Sequence, residues 1–281
     1  MIDIVRLALE EDIGSGDITT NSCVPADRQA RGRFLAREPL IVAGLEILEE
    51  VYQPLGSNPS RDRKGAVPEV SLALRKRNGD SCSAGEILAE VTGPARLLLT
   101  RERVALNFLQ RLSGVATLAR KFADAVSGTN CKVLDTRKTT PGLRALEKAA
   151  AAAGGVHNHR MGLYDAILIK NNHIAAAGGV RHALDWVRSA NLPVEIEVRT
   201  RAELHEALEC GATHLLLDNL SPAEAADWIR EIAGRATVEL SGGITLDAAR
   251  TYAEAGADFV SAGAITHSAR AMDISFRLEL L

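Results

Sequence analysis

From about residue 131 onward the chain repeats one pattern, a short apolar run followed by an amphipathic stretch. CKVLDT leads into LRALEKAAAAAG, AILIK into VRHALDWVRSAN, and VEIEVR into RAELHEALECG. The beat continues with THLLLDN before PAEAADWIREIAG, TVELSG before LDAARTYAEAG, and DFVSAG before a short tail. The runs starting near Pro193, Thr213, Thr237 and Asp258 recur at intervals of roughly 20 residues, helical stretches end at glycine, and CGATHLLLDN is echoed in AGADFVSAG. Strands joined through helices run parallel, because the crossover returns the chain to the same end of the sheet. No GxGxxG follows the first strand, so six such units favour an incomplete (β/α) barrel in an α/β protein. An open doubly wound sheet is the alternative.

Residues 1–112 lack this beat. A first helix precedes extended segments around RGRFLAREPLIVAG and PEVSLALRKRNGD, and the NGD turn leads into GEILAEV, which together read as an α+β domain. Residues 56–68, GSNPSRDRKGAVP, carry the turn formers and charge of an exposed loop. RERVALNFLQRLSGVATLARKFADAV reads as a long connecting helix carrying the boundary, with the barrel occupying 113–268.

Composition narrows the partners. The 33 Lys and Arg residues against 36 Asp and Glu give a net charge of −3, so no global basic field holds nucleic acid or an anionic membrane, and an anion must be held by a local cluster. Aromatic residues at 4% disfavour a base-stacking surface. Cys23, Cys82, Cys131 and Cys210 are widely spaced, which indicates neither a disulfide framework nor a zinc site and suits a reducing, cytoplasmic setting. The N-terminal MIDIVRLALEEDIG has charges inside its apolar pattern, unlike a signal peptide, and no apolar run is long enough to span a membrane.

In a (β/α) barrel the loops at the C-terminal ends of the strands converge on one mouth. Here those exits read Asp135-Thr136-Arg137-Lys138-Thr139, Lys170-Asn171-Asn172-His173, Glu197, Asp218-Asn219, Ser241-Gly242-Gly243 and Gly263-Ala264. Glycines directly before a helix let backbone N–H groups approach a phosphate, which marks SGGIT and SAGAITHS, with His267 either a further donor or a structural residue. Arg137, Lys138, Lys170 and the His159-Arg160 pair place several cations around the same mouth. Arginine forks grip carboxylates and lysine suits phosphate, so the ligand is expected to carry both groups. Glu197 and Asp218 suit ribose hydroxyls or a Mg²⁺ shared with phosphates, or else neutralise Lys170.

The segments ERVALNFLQRLSG, LDTRKTTPGLRALEK, NHRMGLYDAILIKNNHI, LLLDN, VELSGGIT and SAGAITHS, in this order and spacing, resemble the quinolinate phosphoribosyltransferase family. The resemblance runs from EDIGSGDIT to the C-terminus. It implies an N-terminal sandwich domain joined by the tail 269–281, an incomplete barrel bearing the active site, and a homodimer in which the partner sandwich closes each site. Higher assembly stays open. It also implies quinolinate and phosphoribosyl pyrophosphate as substrates, Mg²⁺ as cofactor, and nicotinate mononucleotide, pyrophosphate and CO₂ as products. Arg103, given across the dimer, would hold the quinolinate carboxylates with Arg137, Lys138, His159, Arg160 and Lys170. Lys138, Lys170, Glu197 and Asp218 would form the catalytic set, the two carboxylates also facing Mg²⁺. Ser241, Gly242, Gly243, Gly263, Ala264 and His267 would bind the 5′-phosphate. The chain departs from the family pattern at Val156, where a third glycine is usual, and at Asn171, where an aspartate is common. Three rivals share the barrel: a Schiff-base aldolase using Lys170, a pyrophosphorylase-like protein of molybdate transport, and a non-catalytic nucleotide sensor.

Overall fold

The computed structural model describes residues 3–53 and 70–281. The stretch 56–68, read above as an exposed loop, lies outside the described residues. Two compact units emerge: the chain up to Leu118 with Pro141–Gly154 and Ala269–Leu281, and Ala119–Thr140 with Gly155–Ser268.

In the first unit, Asp3 caps α1 (Ile4–Ile13) by accepting the Arg6 N–H at 2.9 Å, and Asp17 caps α2 (Ile18–Cys23) through the Thr20 N–H at 2.9 Å. There follow β1 (Gln29–Ala36), β2 (Leu40–Ile41), α3 (Ile47–Tyr52), β3 (Ser71–Leu74), β4 (Ser81–Cys82) and β5 (Ile87–Pro94). The long α4 (Ala95–Ala125) passes from this unit into the next. β1 alternates buried and half-buried positions, the pattern of a strand with one face in a core. The C-terminal strand β12 (Ile274–Leu280) completes an antiparallel sheet of order β12-β1-β5-β3, while β2 and β4 form a separate two-stranded ladder. Gly32 on β1 is fixed by packing: a Cβ there would lie 1.9 Å from the Phe276 ring of β12, which itself packs tilted against Phe34 with ring centroids 4.9 Å apart.

The second unit holds six parallel strands: β6 (Lys132–Leu134), β7 (Ile167–Ile169), β8 (Val194–Val198), β9 (His214–Asp218), β10 (Thr237–Ser241) and β11 (Phe259–Ser261), in the order β6-β11-β10-β9-β8-β7. The sequence-predicted incomplete barrel is therefore present, with β6 and β7 at its open edges. Its helices are α6 (Asn171–Ala177), α7 (Val180–Val187), α8 (Arg201–Glu209), α9 (Pro222–Ile232), α10 (Leu246–Glu254) and α11 (Ala264–His267). Ser221 caps α9 reciprocally with Glu224, and Thr200 caps α8.

One helix departs from the expectation of an uninterrupted barrel from residue 113. The amphipathic α5 (Arg144–Gly154) groups with the first unit. Its Glu147 is fully buried and takes two hydrogen bonds from Arg111 of α4, at 2.9 and 2.7 Å. A buried carboxylate requires such a partner, and periodicity alone does not reveal where the partner lies.

Gly32→Val, which drives a branched side chain into the Phe276 ring, is expected to lower unfolding free energy by about 1–3 kcal/mol, read from the urea midpoint at unchanged slope.

Candidate active site

Alternation along the parallel strands sorts their side chains. Ile196, Val198, Leu215, Leu217, Val238 and Leu240 are almost fully buried on one face, while Glu195, Glu197, Leu216, Asp218, Glu239 and Ser241 take the other. A cavity of about 470 Å³ opens at the strand exits on this inner face. Its wall gathers Arg137 and Lys138 after β6, His159 and Arg160, Lys170 after β7, Asp218 and Asn219 after β9, and Ser241, Gly242 and Gly243 after β10. Four cations therefore share one cavity with two carboxylates, Asp218 and Glu239.

The segment carrying His159 and Arg160 lies along the open edge of the barrel. His157 bridges Leu134 in parallel, its N–H donating to Val133 at 2.8 Å and its carbonyl accepting from Asp135 at 3.0 Å. The buried Asp135 carboxylate then accepts the His159 N–H at 2.8 Å. Val156, the first departure, is buried at the start of this edge and causes no strain, since the positive φ falls on Gly155. Arg160 donates to the Ala166 carbonyl at 3.1 Å, and burial, then the like charge of Arg137, push its pKa below the usual guanidinium value.

His159 is held from both sides of its ring. Its Nδ1 accepts the Arg160 N–H at 2.7 Å, which leaves the ring proton on Nε2. Nε2 faces Glu195 at 3.3 Å and Glu239 at 3.5 Å on the barrel floor. Both ring nitrogens thus have partners in the protein, and His159 stands at the floor of the cavity it lines.

Lys170 donates to Glu197 Oε2 at 3.3 Å, and Arg199 Nε stands 3.3 Å from Glu197 Oε1. Lys170 therefore takes its carboxylate partner from β8, and Asn171 in place of an acid does not leave it unpaired. With both oxygens facing cations and the side chain nearly buried, Glu197 does not fit a Mg²⁺ ligand, against the sequence expectation. Asp218 fits: it is a hard oxygen donor on the cavity wall, with Oδ2 accepting from Asn219 Nδ2 at 2.6 Å.

The glycine exits are close-packed. Gly242 has φ +102°, and a Cβ on it would fall 2.4 Å from Asn219 Oδ1 and 2.5 Å from Asn219 N. Gly263 caps α11, with Ala264 its first residue, and a Cβ there would meet the Lys138 stem at 2.8 Å and the His267 ring at 3.2 Å. The Lys138 carbonyl accepts from Thr266 at 2.7 Å, so the first and last exits of the barrel are tied together. Arg103 lies exposed on α4, in the first unit. Glu195 and Glu239 lie inside β8 and β10 rather than at strand exits, so position at an exit does not mark them in the sequence. A glutamate in the middle of an apolar strand, as in VEIEV and VELS, is the signal that marks them.

Comparison with known proteins decides the family. Residues 17–113 match the quinolinate phosphoribosyl transferase N-terminal domain and residues 115–277 the C-terminal domain. The chain belongs to the quinolinate phosphoribosyltransferase family. It is 40% identical to a probable nicotinate-nucleotide pyrophosphorylase [carboxylating] of Bacillus subtilis, over 96% of this chain and 90% of that protein. It is 38% identical to quinolinate phosphoribosyltransferase [decarboxylating] 1b of Nicotiana tabacum, covering 98% and 81%. The crystal structure of NadC from Streptococcus pyogenes superposes with a TM-score of 0.90 at 38% identity, covering 99% of this chain and 96% of that one. Human nicotinic acid phosphoribosyltransferase, at TM-score 0.65 and 14% identity, shares the fold.

Gly242→Ala in this phosphoribosyltransferase is expected to cost about 1–3 kcal/mol, because alanine resists positive φ and its Cβ strikes Asn219. Thermal unfolding at matched conditions checks it.

Proposed function

We propose that this chain transfers the phosphoribosyl group of phosphoribosyl pyrophosphate to the ring nitrogen of quinolinate, releasing pyrophosphate and CO₂ and forming nicotinate mononucleotide in de novo NAD biosynthesis. The observation that carries this reading is the convergence of Arg137, Lys138, Arg160 and Lys170 on one cavity beside the glycine exits, in a chain of this family. Joining a pyridine dicarboxylate to a sugar pyrophosphate means bringing two polyanions together, and fixed cations offset that repulsion without reorganising.

The roles follow from side-chain chemistry. Arg137 and Arg160, close enough to depress the Arg160 pKa, suit the two carboxylates of quinolinate. Arg103 of a partner subunit adds a third guanidinium in the homodimer we propose. Lys138 and Lys170 lie between quinolinate and pyrophosphate, with Lys170 held by Glu197. Ser241, Gly242, Gly243, Gly263, Ala264 and His267 receive the 5′-phosphate. Asp218 would offer a carboxylate oxygen to Mg²⁺, which would supply neutralising charge for the pyrophosphate leaving group, while Glu197 orients the cations and ribose. Once the ring nitrogen is alkylated, the pyridinium stabilises the electron pair left at C2 as the neighbouring carboxylate departs, so no general base is required. Lys170 is ion-paired and exposed, unlike the desolvated lysine of a Schiff-base aldolase. No helix among the described residues is long and apolar enough to cross a membrane, and we place the enzyme in the cytoplasm.

Mixing the chain with both substrates and Mg²⁺ should yield nicotinate mononucleotide and pyrophosphate in equal amounts, measured by chromatography. A trapped lysine adduct after borohydride treatment would point to the aldolase instead. Arg137→Ala should raise KM for quinolinate by about 10- to 100-fold, the loss of one charge-assisted hydrogen bond, with little change for phosphoribosyl pyrophosphate. Equal weakening of both substrates would contradict the assignment. Mixing inactive Arg103→Ala and Lys170→Ala subunits should restore activity that neither has alone if sites are shared across a dimer.

A further inference from the structure

A second cavity, of about 300 Å³, occupies the lower half of the same barrel. Its wall includes Ala166, Pro193, His214 and Thr237 at the entering ends of the strands, and His214 is exposed there, so water reaches it. His159 and Glu239 line both cavities and so form the partition between them. Glu195 lines the lower cavity alone. The reactive atoms of His159, Glu195 and Glu239 lie within 4.8 Å of one another. Two carboxylates this close favour keeping a proton on one of them, because ionising both sets their charges against each other.

The reaction proposed above needs that proton. Loss of CO₂ leaves an electron pair on C2, and the product carries hydrogen there, so each turnover consumes one proton at the floor of the substrate cavity. We propose that Glu239 is the proton donor for this step, recharged through Glu195 from water in the lower cavity. The electron pair on C2 takes the Glu239 proton, so a C2–H bond forms as the Glu239 O–H bond breaks. Hydronium reaching the lower cavity then gives its proton to the Glu195 carboxylate and leaves as water, and Glu195 passes that proton to Glu239, which restores the starting state. His159 Nε2–H, facing both carboxylates, steadies the negative charge while Glu239 is ionised. This role rests on the quinolinate reading.

Charge around Glu239 agrees with its holding a proton near neutrality. Burial, then the negative charge of Glu195, raise its pKa to about 7, opposed by His159 and by the Ser261 hydroxyl of β11. The other titratable groups on the two cavity walls are His214 below and, above, Arg137 and Lys138 after β6, Arg160 on the barrel edge, Lys170 after β7 and Asp218 after β9. Glu197 of β8 is taken up by Lys170 and Arg199. A raised pKa keeps the acid form up to neutral pH, and the donor is lost as pH rises through that value.

The test is a single-turnover experiment on wild type, Glu239→Gln and Glu195→Gln, reading pyrophosphate and nicotinate mononucleotide separately across pH. Wild type should lose the rate of mononucleotide formation above about pH 7. In Glu239→Gln, which keeps the shape and removes the acid, pyrophosphate release should continue while mononucleotide formation slows at least about 10-fold, the dicarboxylate nucleotide accumulates, and the alkaline limb disappears. Glu195→Gln should move the limb to lower pH, because removing a neighbouring negative charge lowers the Glu239 pKa. Equal slowing of both products in Glu239→Gln, or unchanged kinetics, would overturn the donor role. So would a Glu195→Gln limb that stays in place, which decides the matter even if Glu239→Gln does not fold. Wild type that releases neither product would overturn the reaction reading and this role with it.

Discussion

The architecture of the site follows from charge placed on the inner face of a parallel sheet. Six short strands turn one row of side chains toward their helices, and that row is uniformly aliphatic. The other row points into the barrel, where Glu195, Glu197, Asp218 and Glu239 stand among apolar neighbours. A carboxylate in such a position must be paired, hydrogen-bonded or protonated. Each solution appears: Glu197 is paired with Lys170 and Arg199, Asp218 takes a hydrogen bond from Asn219, and Glu239 is driven toward its protonated form by burial and Glu195. The arrangement that satisfies these groups also orients the cations of the mouth.

Barrel incompleteness matters for the same reason. Between the open edges β6 and β7 the chain inserts residues 157–160 through backbone hydrogen bonds to β6, and Asp135 pins the result. An eight-stranded barrel would put a strand there. In its place an irregular segment brings His159 to the floor and Arg160 to the wall, one residue apart in sequence. The exits of β10 and β11 are built from glycine, where a missing Cβ lets Asn219, Lys138 and His267 pack against backbone.

Much of this is legible in the sequence. The six strands were visible as apolar runs because their outward faces are unbroken, and the barrel mouth was visible because Arg137, Lys138, Lys170, Asp218 and Ser241 sit at strand exits, where side-chain direction follows from the fold. What the sequence hid depends on distant partners. Grouping α5 with the first unit turns on the Arg111–Glu147 contact. The role of His159 turns on which ring nitrogen the Arg160 amide occupies, and the unsuitability of Glu197 for Mg²⁺ turns on Arg199, two residues away but pointing back at it. Short helices such as α2, α3 and α6 carry too few turns to show a period.

The central claim is that this cation-lined cavity couples phosphoribosyl transfer to loss of a carboxylate. It is tested most directly by following CO₂ from quinolinate labelled in its C2 carboxylate, incubated with the purified protein with and without phosphoribosyl pyrophosphate and Mg²⁺. The account predicts release only when phosphoribosyl pyrophosphate is present, because the ring must be alkylated before it can hold the electron pair. Release without phosphoribosyl pyrophosphate, or none although both ligands bind, would contradict it.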